Sequence, residues 1–119
     1  GSDYRKKEND VTIADGITKL KQLRPIRFNW KEDSSKTLID GFFAHEVQNV
    51  IPSCVNGTKD AVVTQADIDN GDYKQEQKDD PKYQSMDYSK LTPLLTAALQ
   101  EAVAKIETLE AKVAALEAK

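Results

Sequence analysis

Hydrophobic and polar positions divide this chain into stretches with different periods. Residues 1–10 are polar and carry no period. Ile13, Ile17, Leu20 and Leu23 then recur every three or four residues, which predicts a short amphipathic helix ending before Pro25. "PIRFNW" alternates, with Ile26, Phe28 and Trp30 on one face of a half-buried strand, and after the turn "KEDSSK" the run "TLIDGFF" predicts a second strand. "AHEVQNVIP" reads as one or two helical turns with Val47 and Val50 or Ile51 inward and Pro52 as the stop. In "SCVNGTKDAVV", Asn56-Gly57 is a turn signal between two short strands.

Residues 64–82 are rich in charge and poor in apolar side chains, and are expected to form a long exposed loop. "DIDNGD" within it fails as a calcium loop: the glycine falls one position early and no Glu closes the loop, so no metal site is expected. The C-terminal stretch differs in kind. Ser89 or Thr92 can cap a helix whose first turn tolerates Pro93. Beyond it Leu95, Leu99, Ala102, Ile106, Leu109, Val113 and Leu116 step by alternating fours and threes, a heptad seam with Leu99, Ile106 and Val113 at a. Such a seam meets copies of itself. Lys105 and Lys112 fall at g and Glu110 and Glu117 at e, so a parallel in-register pairing sets each Lys near a Glu, whereas an antiparallel one opposes like charges. Ile and Val at a with Leu at d lean towards two strands. The pattern as a whole predicts an α+β fold: a small, mostly antiparallel sheet with short helices and a long C-terminal coiled-coil helix, divided into a core at 1–88 and an oligomerisation helix at 89–119.

Composition narrows the function classes. At 119 residues the chain is one domain, or a small domain with an appendage. Its 31% charged residues against 39% apolar ones imply that part of it lies outside any core. A net charge of −3, with "RKK" at 5–7 as the only basic run, argues against nucleic acid as a partner. Cys54 is alone, so no disulfide forms within the chain and a buried thiol is expected. No apolar run approaches membrane-spanning length and no signal peptide is visible, so neither a membrane nor a cofactor is expected.

The opening "GSDYRKKEND" places a serine and a lysine five residues apart, a nucleophile and a base when brought together. With "LRPIRFNW", "GFFAHEVQNVIP" and "YQSMDYSKLTPLLTAALQEAVAKIETLEAK" following in that order, the chain resembles the C-terminal intramolecular chaperone of phage tail spikes and tail fibres, the endosialidase-type, self-cleaving peptidase S74 module. The resemblance covers nearly the whole chain except 64–82. It implies a homotrimer, where the heptad rule alone gives a dimer. It also implies a partner in the upstream fibre or spike domain of the same polypeptide, action in the host cytoplasm during virion assembly, and release from the mature fibre. In the pattern S-D-x-R-x-K the family's serine falls on Ser2 and its lysine on Lys7, with cleavage just before Ser2. Gly1 is then a cloning remnant. Lys6 departs from the aliphatic residue usual before the lysine and sets a second cation beside the base.

A serine next to the scissile bond attacks the preceding carbonyl through a five-membered ring, with nucleophile and target already covalent neighbours. Five extended residues span about 17 Å, and a helical spacing of five points two side chains roughly 140° apart. The segment is therefore either sharply bent or Lys7 serves the Ser2 of a neighbouring chain. Asp3, beside Ser2, is a candidate for positioning the amide or pairing with Arg5, and His45 and Glu46 are candidate helpers of the dyad. Two rival readings remain at this level: a trimer cap or receptor-binding tip that is never cleaved, and a conventional Ser-Lys hydrolase, which the short chain and the lack of a glycine-rich nucleophile turn disfavour.

Overall fold

The computed structural model describes all residues, Gly1–Lys119. The architecture is α+β, with two two-stranded antiparallel sheets, short helices and one long C-terminal helix. The chain forms two compact units, one made of residues 22–91 and the other of residues 1–21 together with 92–119.

In the unit of residues 22–91, β1 (Ile26–Phe28) pairs with β2 (Ile39–Gly41), setting Ile26 opposite Gly41, Arg27 opposite Asp40 and Phe28 opposite Ile39. The register puts opposite charges directly across the ladder, and Arg27 Nε donates to Asp40 at 2.8 Å. The predicted turn is built on Asp33, whose carboxylate accepts from the amides of Ser35 and Thr37 at 3.0 and 2.9 Å. Phe28 and Trp30 meet edge to face at 5.0 Å, as the alternation requires of residues on one side of the strand. Helix α2 (Ala44–Gln48) buries Val47, which forms the core with Cys54 and Leu91. Leu23, Phe42, Ile51, Val55 and Met86 pack around these three. Pro52 does not merely stop α2 but opens a 3₁₀ turn, Pro52–Cys54, where its missing N–H costs nothing.

Two expectations fail in this unit. Asn56 lies in a strand and Gly57, at φ +82°, bends the chain after it, but no hairpin closes with the segment that follows. Instead β3 (Val55–Asn56) pairs with β4 (Ser85–Met86). The Gly57 carbonyl is held by the side-chain amides of Gln48 and Gln84, at 2.9 and 3.3 Å, which turns the chain out of the sheet. Residues 64–82 are also more ordered than a plain loop. Val63, almost fully buried, exchanges backbone bonds with Asp79 and Asp80, and Val62 bridges Pro81, so the ends of the excursion are stitched together. Inside it lies α3 (Gln65–Asp69), started by a capping box in which Thr64 accepts from the Asp67 amide and Asp67 accepts from the Thr64 amide. Capping, not apolar burial, organises this segment.

In the other unit, α1 (Gly16–Leu20) packs on α4 (Thr92–Glu117). Regular helix is confined to these five residues of the longer stretch its apolar spacing suggested. Gly16 lies directly on the α4 backbone, and a Cβ there would stand 2.7 Å from Ala98 N. Pro93 falls in the first turn of α4, as expected, whereas Thr92 is the first residue of the helix rather than its cap. The predicted cap at Ser89 takes another form: Asp87 accepts from the Ser89 amide at 3.1 Å and opens the 3₁₀ turn Tyr88–Leu91. No helix is long and apolar enough to cross a membrane.

Candidate active site

Ser2 and Lys7 flank a single 3₁₀ turn, Tyr4–Lys6. Asp3 makes that turn. Its carboxylate caps the Arg5 amide at 2.9 Å and takes both arms of the Arg5 guanidinium, at 3.0 and 2.8 Å. Its carbonyl accepts from the Lys6 amide at 3.1 Å, and Tyr4 accepts from the Lys7 amide at 3.0 Å. The segment is thus neither extended nor a regular helix. A 3₁₀ turn rises about 2 Å per residue, so it shortens the path from Ser2 to Lys7 relative to extended chain. The Arg5 side chain holds the Asp3 carboxyl below its ordinary range, the Arg5 amide adding to the effect, and Asp3 in turn raises Arg5. Asp3 therefore stays an ionised cap to lower pH than a carboxyl without that partner. The Ser2 and Lys7 side chains are exposed and make no hydrogen bond with each other.

His45 and Glu46 lie on α2, in the other compact unit from Ser2, Asp3 and Lys7. Glu46 accepts both arms of Arg24, at 2.9 and 2.7 Å, and the hydrogen bonds from Arg24 hold its carboxyl below the ordinary range. A carboxylate so engaged is a poor proton acceptor. The His45 ring stacks on Phe43 at 5.9 Å, and the Arg24 guanidinium lies 5.6 Å over the same Phe43 ring. His45 also borders an open groove of about 410 Å³ with Lys59, Asp60, Lys82 and Tyr83. The residues that sequence reasoning missed are these partners. Arg5, two positions after Asp3, was accessible as a capping pattern, whereas no local signal links Arg24 to Glu46 across 22 positions. No group of His, Cys, Asp or Glu is arranged to hold a metal ion.

Comparison with known families matches residues 2–56 to the Peptidase S74 family, described as chaperone of endosialidase. Over that segment, a little under half of its length, the chain is similar to the endosialidase-chaperone family. The matched span opens on Ser2, contains Asp3, Lys7, His45 and Glu46, and closes where β3 ends. Intramolecular chaperoning is the role that description carries, while α4 and the excursion 64–82 lie outside the match. No curated protein matches the chain.

Proposed function

We propose that this endosialidase-type chaperone trimerises a phage tail fibre or spike through α4, assists its folding, and then frees itself by cutting the peptide bond just before Ser2. The observation that carries the reading is the family match opening on S-D-x-R-x-K, with Ser2 and Lys7 at the two ends of the turn that Asp3 and Arg5 hold. Ser2 Oγ attacks the carbonyl carbon of residue 1 and its proton passes to Lys7. The C–N bond breaks as Lys7 protonates the departing amine, leaving residue 1 as an ester on Ser2. Water opens that ester to a carboxylate and restores the hydroxyl. A lysine serves as base only where its ammonium is desolvated or crowded by cations. Arg5 is paired with Asp3, so burial on assembly, with Lys6 as the neighbouring cation, is what the reading requires.

The surface of α4 supports the assembly half of the reading. Leu95, Leu99, Ile106, Leu109, Val113 and Leu116 are all exposed in the single chain, a continuous apolar stripe of the kind that marks an interaction surface. Glu110 and Glu117 border it beside Ile106 and Val113, and Lys105 and Lys112 border it across Leu109. This arrangement is complementary between parallel copies.

Expression of the chain behind an upstream fibre segment tests the proposal. Two products joined at Ser2 by intact-mass analysis are expected, with a Ser2→Ala chain remaining uncut yet equally trimeric. A trimer that never cleaves would instead favour the permanent cap, and steady hydrolysis of added peptides abolished by Ser2→Ala the conventional hydrolase.

A further inference from the structure

α4 carries two contact faces at once. Leu94, Ala98 and Glu101 lie on one side, where α1 packs, and the stripe of Leu95, Leu99 and Ala102 lies roughly 120° round the helix. The contact on the first side is unusually intimate for a five-residue helix. Gly16 rests on the Ala97–Ala98 backbone with no room for a side chain, a Cβ there standing 2.7, 2.9 and 3.0 Å from backbone atoms of those two residues. One turn further along α4, Glu101 Oε2 accepts from the Ile17 amide at 3.0 Å. That amide is one of the donors a helix start leaves unpaired, and Asp15, the local cap position, makes no side-chain cap. Glu101 thus caps α1 from another helix. Upstream of it, Val11, Thr12, Ile13 and Ala14 line an open groove together with Pro93 and Ala97. Val11 lies only four positions, at most about 14 Å of chain, after Lys7.

From this we infer that Gly16 and Glu101 are positioning residues for the cleavage, fastening the arm that bears Ser2 and Lys7 to the helix whose other face forms the oligomer. The inference rests on the peptidase reading above. Its content is that formation of the seam fixes the path of α4, and that the Gly16–Ala98 contact and the Glu101 cap carry that fixed frame to the turn at Tyr4–Lys6. Because the contact lies off the seam, loosening it uncouples cleavage from assembly rather than abolishing both.

The test uses the full chain behind its upstream segment, comparing cleavage rates of purified trimers. Gly16→Ala and Glu101→Ala are each expected to trimerise normally and cleave at least about tenfold more slowly, since small misplacements of reacting groups cost up to about 10²-fold. Glu101→Gln keeps an oxygen that accepts from the Ile17 amide, and is expected to cleave within about twofold of the parent. A general loss of stability would not sort the Gln and Ala variants this way. Amide exchange over residues 8–21 at fixed trimer concentration reads the contact directly, with faster exchange expected in both weakened variants. Should those two exchange faster yet cleave at the parental rate, or should Glu101→Gln be as slow as Glu101→Ala, the positioning role is overturned. A parent that trimerises without cleaving overturns the peptidase reading itself, and this inference with it.

Discussion

Leu94 and Leu95 are adjacent in sequence but lie on differently buried sides of α4: Leu94 is 6% exposed and Leu95 44%. A change on each side of α4 should therefore have a distinct consequence. Leu94→Ala empties a packed site and should lower the unfolding free energy by about 2–4 kcal/mol, read by urea titration. Leu109→Asp leaves the single chain's packing alone, because Leu109 is already exposed, but places carboxylates at a parallel interface. Light scattering across a concentration series should find this variant monomeric where the parent is expected to be trimeric. Uncut product is then expected from the upstream-linked chain, although the change lies far along the sequence from Ser2.

Cys54 is almost fully buried, and its Sγ donates to the Asp87 carbonyl at 3.1 Å. Burial is the main force pushing the thiol above its ordinary pKa; the Asp87 charge adds to it, while Lys90 and the bond to the Asp87 carbonyl oppose it. The folded chain should react with a thiol-specific alkylating agent at pH 8 at least about tenfold more slowly than the urea-unfolded chain. The sign of the linkage follows from a raised folded value. Stability from this group is complete below the unfolded thiol's pKa and is lost as pH rises through the folded one. Cys54→Ala should flatten the alkaline decline, as measured by urea unfolding between pH 8 and pH 10.

How much of this was legible beforehand varies with the range of the interactions. The α4 seam follows from spacing within one helix, and β1, β2 and α2 appear in the structure where the local period put them. The pairing of β3 is not legible because its partner lies some 30 positions on, past an excursion whose ends close through backbone bonds at Ala61 and Val63. The Thr64/Asp67 box that starts α3 was a readable signal masked by the charge around it. At the candidate site, the family pattern pointed to Ser2 and Lys7, but not to the turn between them, which depends on Asp3 choosing Arg5 as its partner. Glu46 as a helper illustrates the limit. Its engagement with Arg24 is a tertiary contact that no spacing announces.

That engagement makes a prediction for Glu46. A depressed carboxyl contributes stability above the ordinary carboxyl range and loses it as pH falls through the folded value. Glu46→Gln should accordingly show a shallower fall in stability below about pH 4.5, seen by following urea midpoints downwards in pH. A general acid or base is worth about 10²–10⁴ in rate. Since Glu46 is engaged elsewhere, Glu46→Gln should cleave within about tenfold of the parent, and a larger loss would return Glu46 to the catalytic group.

The turn at Tyr4–Lys6 bears on which chain supplies the base. Asp3 and Arg5 hold a 3₁₀ turn that shortens the path between Ser2 and Lys7 of one chain, although the two side chains do not meet in the single chain. A dyad within one chain is the arrangement we expect from that shortening, and mixed trimers measure it. Ser2→Ala and Lys7→Ala chains, distinguishably tagged and co-expressed behind the upstream segment, should form mixed trimers yet yield no cleaved product, because no chain owns both groups. Product arising from the Lys7→Ala chains, whose serine is intact, would require a lysine from a neighbour and would make cleavage a direct readout of assembly. A companion variant separates the turn from the residues it joins. Asp3→Ala removes the cap and both guanidinium bonds while leaving Ser2 and Lys7 untouched, so it should slow cleavage by about tenfold or more if the bend brings the pair together. Parental rates in Asp3→Ala, together with complementation in the mixed trimers, would assign the base to the neighbouring chain.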